Sequence, residues 1–151
     1  MRPRRHGRSV AGLCGLALLA VVPVPACAAG GSGPAVRTVA ITIRYSHFSP
    51  AHLRVAAGET VRFTIKNSDP IDHEFIVGDQ SVQDAEEVGS DPIHDGSVPG
   101  RVSAPAGTTA STVVTLPRTP AGHPAQPSLI YACHLPGHYA YGMRGLLQIT
   151  P

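Results

Sequence analysis

Val39, Ile41 and Ile43 alternate with Thr38, Thr42 and Arg44, and further on Val61, Phe63 and Ile65 alternate with Thr60, Arg62, Thr64 and Lys66. A period of two puts every second side chain on one face, so each run is a strand with a single apolar side. Such runs recur to the C-terminus, broken by Gly, Pro, Asn and Asp, and no long stretch repeats its apolar residues at helical spacing. Strands are expected at 36–45, 52–55, 60–66, 73–77, 101–104, 109–116, 128–133 and 144–150, with 52–55 at a sheet edge. The acidic stretch 79–99, holding Asp84, Glu86, Glu87, Asp91 and Asp95, is expected to cross irregularly with at most one helical turn. One-sided strands must cover one another, and eight or so of them in about 115 residues predict an all-β fold, a two-sheet Greek-key β-sandwich.

The folded part is smaller than the chain. Arg2, Arg4, Arg5 and Arg8 precede an apolar run, 10–22, that ends at Pro23 and is too short to span a bilayer, which is the pattern of an export signal. Its end reads in two ways. Ala26-Cys27-Ala28 offers a small-x-small cleavage site, while Val24-Pro25-Ala26-Cys27 resembles a degenerate lipobox that would leave a lipidated Cys27 as a membrane tether. The expected organisation is a signal over 1–28, a flexible tether over 29–35 and one domain over 36–151, placed outside the cytoplasm.

Charge follows from that division. The 12 basic residues include the four leader arginines, so the chain from Cys27 onward holds eight bases against ten acids. With no basic patch interleaved with aromatics, nucleic-acid binding is excluded. Cys14 and Cys27 belong to the leader and its end, so Cys133 is the single thiol of the domain and has no internal disulfide partner. A lone thiol in an exported protein is at risk of oxidation unless it is buried or bound to a metal.

Around that thiol the sequence is Cys133-His134-Leu135-Pro136-Gly137-His138-Tyr139-Ala140-Tyr141-Gly142-Met143, with Cys133, His138 and Met143 five and five residues apart. A thiolate, an imidazole and a thioether form a soft donor set, and one further histidine would complete a trigonal copper site with a weak axial methionine. Pro136-Gly137 and Gly142 allow the chain to curl back on one ion. His73 can supply the missing imidazole, although a histidine between Asp72 and Glu74 is by itself more often a solvated turn residue. His134, next to Cys133, is expected on the opposite, surface face. His47, His52, His94 and His123 are expected in solvent or turns, with His94, Asp91 and Asp95 a weak alternative metal cluster. Cys133 with His138 could pass as a thiol–base pair, but nothing else in the chain supports nucleophilic catalysis.

Two blocks carry a family resemblance. Phe48-Ser49-Pro50, Gly58-Glu59-Thr60-Val61-Arg62-Phe63-Thr64-Ile65-Lys66-Asn67 and His73-Glu74-Phe75 form the first; Tyr131-Ala132-Cys133, Pro136-Gly137-His138 and Gly142-Met143-Arg144-Gly145 form the second. From about Val36 to Pro151 the chain resembles the cupredoxins, the type 1 blue copper proteins, with loop spacing similar to rusticyanin and auracyanin. The resemblance implies one copper ion held by His73, Cys133 and His138 with Met143 axial, and single electrons passing through the edge of His138. A single domain with no further His-rich motif is expected to be a monomer that is not an enzyme and that docks transiently on a redox protein partner through an apolar rim of Leu135, Pro136, Tyr139, Tyr141 and Met143. Glu74 stands where the family usually has Asn after the first histidine, so the hydrogen bonding around the thiolate is expected to differ. The competing reading keeps the same ligands in a protein that buffers or delivers copper without electron transfer.

Overall fold

The computed structural model describes residues 35–89, 93–118 and 128–151, so the leader, nearly all of the tether, Asp91 and His123 lie outside the described residues. Nine strands and one helix follow in the order β1 (Val36–Arg44), β2 (His47–Ser49), β3 (His52–Ala56), β4 (Thr60–Asn67), β5 (His73–Gly78), α1 (Gln80–Val88), β6 (Arg101–Ala104), β7 (Thr109–Thr115), β8 (Leu129–Ala132) and β9 (Arg144–Thr150). They make two mixed sheets, β2-β1-β4-β7 and β3-β9-β8-β5-β6, with β3 at an edge as its sequence implied.

The alternating faces meet between the sheets. Ile41, Ile43, Val61, Phe63 and Ile65 from the first sheet pack on Phe75, Val102, Tyr131, Leu147 and Ile149 from the second. Burial of such side chains stabilises by about 1.5–3 kcal/mol each, so this interlayer carries the fold. Phe48, Phe75 and Tyr131 form edge and tilted aromatic contacts in it, with ring centres 5.4–5.8 Å apart. Tyr131 packs its ring directly over Gly145, where a Cβ would collide with it, and donates its hydroxyl to the Pro50 carbonyl at 2.6 Å. That bond ties β8 to the corner between β2 and β3.

Two elements depart from the expectations. β2 is a strand of three residues in which only Phe48 is buried, too short to show a period. The segment expected to hold at most one helical turn contains the nine-residue helix α1. Asp79 caps it by accepting the Val82 N–H at 3.1 Å, a good use of an Asp side chain at a helix start. What seats α1 is polar: its buried residue Gln83 donates to the Ile130 carbonyl at 3.2 Å and the Gly78 carbonyl at 3.4 Å. Val82 presses so closely on Gly78 that any Cβ there would overlap it.

Candidate metal centre

Strand register builds the site. In the antiparallel pairing of β5 and β8, Ile76 lies opposite Ala132, so the start of one strand sits beside the end of the other. His73 opens β5 and Cys133 follows β8, which brings them together. β8 and β9 are also antiparallel, with Ala132 opposite Arg144, so residues 133–143 close a hairpin. At its mouth the Cys133 N–H donates to the Met143 carbonyl at 3.2 Å.

Within the loop the His138 N–H donates to the Leu135 carbonyl at 2.9 Å, and the Met143 N–H to the His138 carbonyl at 3.0 Å. Gly137 and Gly142 supply the required left-handed backbone, with φ of 83° and 90°. The five-and-five spacing is thus two successive reversals that return His138 and Met143 to Cys133.

Three donor atoms converge. His138 Nδ1 lies 3.2 Å from Cys133 Sγ and 3.3 Å from His73 Nδ1, and Cys133 Sγ lies 4.0 Å from His73 Nδ1. Metal–nitrogen and metal–sulfur bonds of about 2.0–2.3 Å place ligands of one ion at about this separation, so the residues present fit a metal. His73 and Cys133 are 1% and 0% exposed, while His138 is half-buried. Met143 is 1% exposed and, with Ser46, His47, Pro136, His138 and Tyr141, lines a cavity of about 420 Å³ above the site. Met143 therefore belongs beneath the expected apolar rim rather than on it, whereas Tyr141 is 90% exposed.

Electrostatics set the protonation states. Burial pushes the Cys133 thiol up to about 11, against the lowering effect of the Glu74 and Leu135 N–H groups. His138 is held below the usual imidazole range by burial and by the neighbouring His73. Glu74 does not touch the sulfur with its carboxylate. Its N–H donates to Cys133 Sγ at 3.3 Å and its Oε2 accepts the His134 N–H at 3.3 Å. Burial raises the Glu74 carboxyl above its ordinary range.

The chain is similar to known proteins along most of its length. Residues 16–91 match the family described as the cupredoxin-like domain, and a copper-resistant cuproprotein CopI of Rubrivivax gelatinosus is 36% identical over 123 residues, 80% of this chain and 70% of that protein. This protein is a member of the cupredoxin family. A copper-resistant cuproprotein CopI of Pseudomonas aeruginosa is 28% identical over 150 residues, covering 78% of each chain. Auracyanin B superposes with a TM-score of 0.59 at 24% identity, over 79% of this cupredoxin and 91% of that chain. Auracyanin A of Chloroflexus aurantiacus gives 0.56 at 21% identity, over 77% and 100%. At such identities the two auracyanins speak for the fold, while the Cys133–Met143 loop lies beyond the stretch matched by the family.

Other histidines occupy unexpected places. His134 does face away from the Cys133 side, but it is not on the surface: its side chain is 3% exposed. It contacts Glu87 Oε2 at 2.9 Å and Gln83 Oε1 at 2.7 Å and stacks on Tyr139. His94 is buried instead of solvated, with its Nε2 3.9 Å from Glu74 and 3.6 Å from Glu86, while Asp95 accepts the Ser97 N–H at 2.8 Å. The pairing of His94 with Asp95 therefore does not form. His47 is exposed on β2, with Nδ1 2.6 Å from the Tyr45 carbonyl.

Asp69 lies in the turn-forming run Asn67-Ser68-Asp69-Pro70, yet it is buried beside the site. Its Oδ1 accepts the Tyr45 N–H at 2.6 Å, and its Oδ2 accepts the Ser46 N–H at 2.7 Å and lies 3.0 Å from His73 Nε2. Burial alone would raise its pKa, but these donors outweigh it and hold the carboxyl below the usual range. Turn composition was its only signal in the sequence.

Proposed function

We propose that this protein binds one copper ion outside the cytoplasm through His73, Cys133, His138 and Met143, and passes single electrons by cycling that ion. The observation that supports it most is the convergence of two imidazole Nδ1 atoms and one thiol within 3.2–4.0 Å at one end of the sandwich. Copper supplies the one-electron couple there. The chain supplies a buried thiol fixed at a strand end, an imidazole locked in the sheet, and a half-buried imidazole reaching toward solvent.

His138 is the exit for the electron because it alone of the three touches the open cavity beside Pro136 and Tyr141. A redox partner would dock briefly on Pro136 and exposed Tyr141, with half-buried Leu135 and Tyr139 behind them. On this reading the protein is a carrier rather than an enzyme, and it acts as a monomer. On this reading the N-terminal leader is an export signal that carries the protein beyond the membrane, where it is either free or tethered through Cys27.

A second reading follows from the relatives, which are described as copper-resistant cuproproteins: the same site would buffer or deliver copper without passing electrons. Addition of Cu(II) to the purified domain separates the two. The electron-transfer reading expects an intense visible charge-transfer band and a reversible one-electron couple. A colourless protein that holds only Cu(I) and never cycles would sink it and leave the buffering role.

A further inference from the structure

Asp69 is buried at 7% exposure and its one ion-pair partner among the described residues is His73. Its carboxylate is gripped by two successive N–H groups, from Tyr45 and Ser46, both with positive φ of 55° and 56°. Left-handed backbone at a Tyr and a Ser is costly, and consecutive N–H groups in such a turn form an anion-binding concavity. The Asp69 N–H is in turn held by Asn67 Oδ1 at 2.9 Å, and Asn67 donates to the Ile71 and Ala104 carbonyls at 2.8 Å each. Asp69 is therefore fixed by two bonds to its carboxylate and one to its backbone before His73 meets it.

A carboxylate accepts hydrogen bonds and does not donate them, so at 3.0 Å the proton between the two groups sits on His73 Nε2. A neutral imidazole with Nε2 protonated has its lone pair on Nδ1. That atom is the one facing Cys133 and His138. Such outer partners fix ring orientation and raise the basicity of a histidine ligand.

We propose that Asp69 is the positioning residue of the metal centre, holding His73 in the tautomer that presents Nδ1 and biasing the bound ion toward Cu(II) over Cu(I). The inference rests on the copper reading. Its charge argument is simple: Cu(II) with one thiolate carries a net single positive charge, and Cu(I) with one thiolate carries none. A buried anion behind His73 compensates the first state and is left uncompensated by the second. When one electron enters and Cu(II) becomes Cu(I), that compensation is lost, so the couple is held low.

The test compares wild-type protein with Asp69→Asn, which keeps the size and one acceptor but removes the charge. Circular dichroism of the metal-free proteins checks that both fold. The ratio of Cu(II) to Cu(I) affinity, measured with competing chelators of each oxidation state, is expected to fall at least tenfold in D69N, a rise of about 59 mV in the one-electron potential. An unchanged ratio in a D69N protein that folds and loads copper overturns the role of Asp69 and leaves the copper reading intact. Wild-type protein that takes up no copper refutes that reading and this inference with it.

If D69N does not fold, the wild-type protein still decides. Nitrogen-15 NMR of the Cu(I) form should show His73 Nε2 carrying a slowly exchanging proton. An unprotonated Nε2, or one whose proton exchanges as fast as that of an exposed histidine, overturns the proposal.

Discussion

Loading a metal onto Cys133 must expel a proton, and the structure sets how costly that is. Burial pushes the thiol from its ordinary 9.0 up to about 11, so at pH 7 about one metal-free molecule in 10⁴ carries the thiolate. The four-unit gap means that metal binding works against roughly 5 kcal/mol at neutral pH. His138, held below the usual imidazole range, is already neutral there and contributes no proton.

Two consequences follow for the pH dependence. Apparent copper affinity should rise about tenfold per pH unit from neutrality toward pH 11, and each copper bound near pH 7.5 should release about one proton. The sign for the metal-free fold is opposite. A raised thiol pKa means that the native state binds the proton more tightly than the unfolded chain, so stability is lost between pH 9.0 and about 11. Calorimetric titration in buffers of different ionisation enthalpy counts the protons directly. Copper uptake by the intact chain with no proton release at pH 7.5 would refute the reasoning, because the thiol would then be either already ionised or not a ligand.

Replacing Cys133 with Ser should abolish the charge-transfer colour. His134→Ala should keep it but lower stability by about 1–2 kcal/mol in urea unfolding, since two hydrogen-bond partners under α1 are lost. Colour lost in H134A would reassign the ligand set. Tyr131→Phe removes the bond to the Pro50 carbonyl and leaves the ring packing, so chemical denaturation should show a loss of about 1–3 kcal/mol with an unaltered slope. A neutral result would mean that the carbonyl finds another donor.

The strands that were legible are those whose inner face is apolar. Val61, Phe63 and Ile65 announce β4, and the register they impose carries Phe63 into contact with Phe75 across the layer. Cys133 and His138 were legible for a different reason, since their donor chemistry and their spacing lie within one short loop. His73 needed the pairing of β5 with β8 to reach the same place, and no local pattern records that pairing.

What escaped the sequence is polar burial. Gln83 seats α1 in part through the Ile130 carbonyl of β8, 47 residues away, and Asp69 is held by N–H groups 24 and 23 residues earlier. Hydropathy scores both as exposed, because a polar side chain is buried only when partners distant in sequence satisfy it. The same condition explains why such residues gather at this end of the sandwich. Where the side chains of Asp69, Glu74 and His134 are buried near the thiol, each hydrogen bond that makes their burial tolerable also fixes an atom near the ligands. A metal site that must hold its geometry through a change of charge needs such fixed dipoles, and apolar packing alone cannot supply them.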